Sequence, residues 1–135
     1  MIRPKNQTWL KAVKKLDAVF SQWVRRSNAD EFGMAHCVTC NARKHYKELH
    51  AGHCFSRKKF SVRFSEMNVF PQCPRCNLYG QGEQLLFTRF LDSKFGEGTA
   101  ERLLIESNQM RKYSVEELRE MIEDYTQRLK DCVVS

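Results

Sequence analysis

Two Cys-x-x-Cys knuckles, Cys37/Cys40 and Cys73/Cys76, bracket a basic segment that contains His50-Ala51-Gly52-His53, and the second knuckle runs directly into Asn77. Four thiolates at this spacing complete the tetrahedral shell of one zinc ion. The 32 residues between the knuckles are more than a simple ribbon needs. The metal therefore ties together the ends of a loop large enough to hold a second site, with His53 inside it. His36 or His45 in place of one cysteine is the competing ligand set. Cys54 and Cys132 are left over and read as free thiols without a role.

Zinc is preferred to disulfides because the compartment expected is reducing. Met1-Ile2-Arg3-Pro4-Lys5-Asn6 has no apolar run of signal-peptide length, and no segment approaches membrane-spanning length. A cytoplasmic protein is expected, and there paired cysteines are more often metal ligands than bridges. The net charge of +7 is uneven. Residues 1–79 carry 15 Lys/Arg against 5 Asp/Glu, whereas residues 80–135 carry 8 against 11. A basic front half suits a polyanionic partner, although a positive surface also serves solubility.

The elements that must position these groups follow from periodicity. Thr8 can cap a helix of about five turns whose stripe is Leu10, Val13, Leu16, Phe20 and Trp23/Val24. Asn28 to Gly33 breaks it. Leu49, Ala51, His53 and Phe55 alternate with Glu48, His50, Gly52 and Cys54, as in a short strand. Ser56-Arg57-Lys58-Lys59 is a basic turn, Asn68-Val69-Phe70 leads into a second strand, and Cys73 to Asn77 opens a short helix with Pro74 in its first turn. Glu83–Phe95 reads as a second amphipathic helix. Thr99 can cap a third, carrying Leu103, Leu104 and Met110, and the capping box Ser114/Glu117 opens a fourth. The expected organisation is an N-terminal amphipathic helix (1–33), a zinc-bound finger (34–82) and C-terminal helices (83–135), an α+β protein.

With His53 on a strand, Asn68 on the link to the next strand and Asn77 after the last zinc cysteine, the order resembles the HNH, or ββα-metal (His-Me finger), endonuclease motif. More narrowly, Cys37-Val38-Thr39-Cys40, Ala51-Gly52-His53-Cys54-Phe55-Ser56-Arg57, Arg63-Phe64, Glu66-Met67-Asn68-Val69 and Gln72-Cys73-Pro74-Arg75-Cys76-Asn77 resemble the phage NinG/Rap recombination proteins. The likeness extends to Lys15-Leu16-Asp17 and to Phe95 through Glu101, so it covers most of the chain. The finger is also similar to that of phage endonuclease VII, a resolver of DNA junctions.

The resemblance implies divalent-metal-dependent hydrolysis of DNA, with branched recombination intermediates such as Holliday junctions or D-loops as substrates. It makes His53 the general base, Asn68 the residue that fixes the loop presenting it, and Asn77 a ligand of catalytic Mg²⁺ or Mn²⁺ beside the structural Zn²⁺. Arg57 would clamp the scissile phosphate. Lys44, Lys47, Arg57, Lys58, Lys59, Arg63 and Arg75 become candidate phosphate contacts. Where the broad HNH pattern has a metal-binding Asp, this chain has Gly52. His50, two residues away and on the same strand face, is the candidate substitute, with Glu83 a weaker one. Symmetric cutting of a junction favours a homodimer. Loss of the catalytic metal would leave the alternative, a non-catalytic zinc-dependent DNA-binding recombination factor.

Overall fold

The computed structural model describes residues 7–133. A long helix, α1 (Gln7–Ser27), leads into a small hairpin, β1 (Met34–His36) and β2 (Arg43–His45), and then a 3-10 turn over Tyr46–Glu48. Next come β3 (His50–His53), the single-turn helix α2 (Phe60–Arg63), β4 (Val69–Gln72) and a π-helical turn over Arg75–Tyr79. Three helices complete the chain: α3 (Gln84–Phe95), α4 (Thr99–Ser107) and α5 (Val115–Val133). The mixture of helices with two antiparallel two-stranded sheets is α+β. No helix among the described residues is long and apolar enough to cross a membrane.

Strand β3 pairs with β4 in the register His50–Gln72, Ala51–Pro71, Gly52–Phe70 and His53–Val69. Side chains alternate across a strand, so His50, Gly52, Phe70 and Gln72 share one face while Ala51, His53, Val69 and Pro71 share the other. Each face covers a different core. Ala51 and Val69 pack against Leu16, Phe20 and Val24 of α1 and Leu118 and Tyr125 of α5. Phe70 packs against Phe87 and Leu91 of α3 and Ala100 and Leu103 of α4. Phe20 and Tyr125 meet edge to face at 4.9 Å, a favourable geometry for aromatic pairs. The first and last helices thus pack on each other and on the finger between them.

Several sequence expectations need adjusting. Leu10 is exposed, and Ala12 and Val13 take the buried positions. The hairpin of the first knuckle has no alternating pattern long enough to detect, since three polar residues, Arg43-Lys44-His45, make its second strand. Thr8 lies inside α1 rather than at its cap. Thr99 is likewise inside α4: Gly98, at φ 91°, holds the cap, and Thr99 Oγ1 donates to the Gly96 carbonyl. Met110 falls beyond the end of α4. At Ser114 the reciprocal bonds form, Glu117 N–H to Ser114 Oγ at 3.1 Å and Ser114 N–H to Glu117 Oε1 at 3.2 Å.

Candidate functional site

The four knuckle cysteines converge. Their sulfurs all lie within 4.8 Å of one another, and Cys40 Sγ is 3.7 Å from Cys73 Sγ. Tetrahedral zinc with ~2.3 Å bonds spaces its sulfurs about 3.8 Å apart, so the cluster can bind zinc. Burial opposes charge on Cys37, but the Thr39 hydroxyl and backbone groups of Cys73, Thr39 and Cys40 outweigh it and bring the thiol down to about 6. Burial pushes Cys76 up to about 12. A cation is what would let all four carry charge together. Arg75 lies in the field of Cys40, Cys76 and Cys73, which raises its pKa, so its guanidinium offsets thiolate charge. His36 and His45 stand outside the cluster; His45 stacks on Tyr46 and accepts from Lys47 N–H.

On the α1 face, His53 is half-buried and its Nε2 lies 3.0 Å from the Arg63 carbonyl. A carbonyl only accepts, so Nε2 carries the proton and Nδ1 keeps its lone pair. Burial first, then the nearby Arg57 and Arg63 charges, hold His53 below its ordinary value of 6.5, against the Arg63 carbonyl and Asp17, which act the other way. Asp17, on α1, joins the two guanidiniums. It accepts from Arg63 Nε at 3.0 Å and from Arg63 Nη2, and from Arg57 Nη2 at 3.0 Å. Arg63 also donates to the Arg57 carbonyl and lies over the Phe60 ring, 4.9 Å from its centre. Its side chain is only 13% exposed, whereas that of Arg57 is 58% exposed. Arg63 is therefore held within the cluster by Asp17, and Arg57 is the guanidinium that solvent reaches.

Asn68 is fully buried and staples the loop between β3 and β4. Its Oδ1 accepts from Phe55 N–H at 2.8 Å, and its Nδ2 donates to the carbonyls of Phe55 and Val62 at 2.9 and 3.1 Å. The loop so held runs from Cys54 to Met67 and carries Arg57, Lys58, Lys59 and Arg63. Lys58 and Lys59 are exposed on it, with Lys59 Nζ bonded to Asn108 Oδ1. Lys44 and Lys47 belong to the hairpin and its following turn, where Lys47 is exposed.

On the other face Asn77 Nδ2 lies 3.0 Å from His50 Nδ1. The fold thus joins Asn77 to His50, and His53 to Arg57 and Arg63, and strand alternation puts the two histidines on opposite faces of the ribbon. Glu83 takes no part in either group: it lies at the start of α3 with its carboxylate folded against Gly80, and it makes no hydrogen bond to His50 or Asn77.

Sequence reasoning missed two residues. Asp17 reads as one polar position on an amphipathic helix, and nothing local signals that it receives two arginines from 40 and 46 residues away. Gln72 reads as a strand residue before a cysteine. It is fully buried, its Nε2 donates to the Gly82 carbonyl at 2.8 Å and to Thr39 Oγ1 at 3.1 Å, and its Oε1 has no partner. An orphaned buried amide oxygen costs about 1–3 kcal/mol. Ser61 Oγ is the only other such side-chain atom among the described residues.

In comparisons with known proteins, one family model, described as bacteriophage lambda NinG protein, matches residues 3–133. No curated protein and no solved structure matches.

Proposed function

The chain belongs to the NinG family, and from that membership together with the site geometry we propose that it is a divalent-metal-dependent DNA endonuclease acting on branched recombination intermediates. The observation that carries this reading is the His53–Arg63 bond. It fixes the imidazole tautomer, while burial and two guanidiniums keep the ring neutral. A neutral imidazole with a free Nδ1 beside arginines is the equipment of a general base that works on a phosphate-bound water.

In this reading Nδ1 of His53 takes the proton of the water that attacks phosphorus. Arg57 exchanges part of its pairing with Asp17 for the non-bridging phosphate oxygens, since a guanidinium binds two oxygens side by side. Asn68 holds the loop so that base and arginine keep their spacing. Asn77 and His50 would hold Mg²⁺ or Mn²⁺, which, when bound, stabilises charge on the leaving 3′-oxygen. Their 3.0 Å approach puts an amide and an imidazole within reach of one small cation. Lys44, Lys47, Lys58 and Lys59 supply phosphate contacts without base readout, which suits recognition of branching rather than sequence. A symmetric junction calls for a two-fold dimer, measurable by sedimentation with and without DNA.

The second reading, a zinc-dependent DNA-binding recombination factor without catalysis, is favoured by one observation. His53 and the His50–Asn77 pair lie on opposite faces of the ribbon, so a single phosphate must lie across its edge to meet both. Incubation of the protein and of His53→Ala with a labelled four-way junction in Mn²⁺ separates the two. Cleavage by the parent and not by the variant, with salt-dependent binding kept in both, supports the nuclease. Binding without cleavage by either supports the accessory factor.

A further inference from the structure

Gly52 stands where the broader nuclease pattern has a metal-binding carboxylate, and the fold gives a reason for the glycine. The Gln72 side chain crosses the strand pair and lies on Gly52. A Cβ built on residue 52 would overlap Gln72 Oε1 and stand 2.6 Å from its Cδ. A side chain at residue 52 would force Gln72 out of this position. The Gln72 amide has a fixed sense, because the Gly82 carbonyl can only accept and so must face Nε2. Its oxygen is thereby directed over Gly52, buried and without a hydrogen-bond partner.

We propose that Gln72 Oε1 replaces the absent carboxylate, completing with His50 and Asn77 a cation site of one imidazole and two amide oxygens. This rests on the reading that a divalent cation binds His50 and Asn77. Gln72 is the cross-strand partner of His50 and shares its face. Its buried oxygen meets no protein donor, so it is open to a cation. With Asn77 Nδ2 donating, the His50 Nδ1 lone pair is engaged. A cation takes that lone pair, so loading breaks this bond and turns the Asn77 oxygen inward. An imidazole with neutral oxygens suits Mn²⁺ better than Mg²⁺ and binds it less tightly than a carboxylate site would.

The test is Mn²⁺ affinity of the zinc-loaded protein, read by electron paramagnetic resonance of free Mn²⁺, with zinc content as the check on folding. Gln72→Met, which keeps the length and removes the oxygen, is expected to weaken Mn²⁺ binding tenfold or more at unchanged zinc content. Gln72→Ala is expected to weaken it likewise, and Gly52→Asp/Gln72→Ala to recover it, since the vacated volume then admits a carboxylate. If Gln72→Met fails to hold zinc, the comparison of the double variant with Gln72→Ala decides. Parent-like affinity in Gln72→Met or Gln72→Ala, or a double variant no better than Gln72→Ala, overturns the proposal while leaving the His50–Asn77 cation standing. A parent protein that binds no Mn²⁺ overturns both.

Discussion

His50 and His53 are three residues apart on one short strand, yet the fold puts them in different chemistry. His53 faces α1, where it meets a backbone carbonyl, two arginines and an aspartate. His50 faces the π-helical turn, where it meets an amide and the Gln72 strand position. The first environment favours a neutral ring and bonds it through Nε2, which suits a base working through Nδ1. The second sets an amide against an imidazole, the pair that the proposed cation would use. A two-stranded ribbon can sort the two tasks because neighbouring positions look in opposite directions, and the four-cysteine cluster ties its end at Cys73 to the first hairpin from outside.

Removing that outside frame should erase the difference altogether. Cys73→Ser, or chelation of the zinc, is expected to unfold the finger, with a loss on the order of 10 kcal/mol for a small zinc domain. Near-ultraviolet circular dichroism with metal analysis reads the outcome. A chelated protein that keeps its tertiary signal would show that the helical cores alone hold the ribbon. The next effects fall on one face at a time. His53→Ala is expected to lower junction cleavage by about 10²–10⁴-fold with Mn²⁺ affinity unchanged. His50→Ala should instead weaken Mn²⁺ binding and regain cleavage as Mn²⁺ is raised. If both variants behave alike, the division of labour between the faces is wrong.

Asn68 tests whether the α1-side cluster depends on the loop that carries it. Asn68→Ala removes three buried side-chain hydrogen bonds and strands the Phe55 N–H and carbonyl, while the Val62 carbonyl keeps the Ser65 N–H, at a cost of about 3 kcal/mol. Chemical denaturation measures it. Cleavage in the folded fraction should drop while zinc content holds.

How much of this was legible in sequence differs between the same two faces. The thiol cluster follows from local spacing, and so does the Ser114 capping box, because both depend on residues a few positions apart. The helices are visible from their apolar stripes, with errors of one or two residues at Thr8, Glu83 and Thr99. Asp17 and Gln72 were not legible. Each acts through partners far along the chain, Asp17 through Arg57 and Arg63, Gln72 through Thr39 and Gly82. Gly52 was visible as a departure from a pattern, but the reason for it lies across the sheet. Arg63 and Arg75 show the converse limit: charge is readable from the sequence, but what has already neutralised it is not.

The subtlest separation of the faces is by pH. His53 lies below 6.5 mainly because it is buried, so its native form favours the neutral ring. That contribution to stability is complete above about 6.5, the ordinary histidine value, and is lost as pH falls through the lowered native value. Cleavage should follow the same limb, since a protonated ring cannot act as a base. The neighbours then give the limb a signature. Asp17 raises His53 and Arg57 lowers it. Asp17→Asn should therefore move the acid limb of kcat/KM to lower pH, and Arg57→Gln should move it to higher pH. His50 lies on the opposite face, so His50→Ala should leave the midpoint of that limb in place even as the Mn²⁺ requirement rises. A midpoint that moves in His50→Ala but in neither Asp17→Asn nor Arg57→Gln would assign the titrating base to the other side of the ribbon.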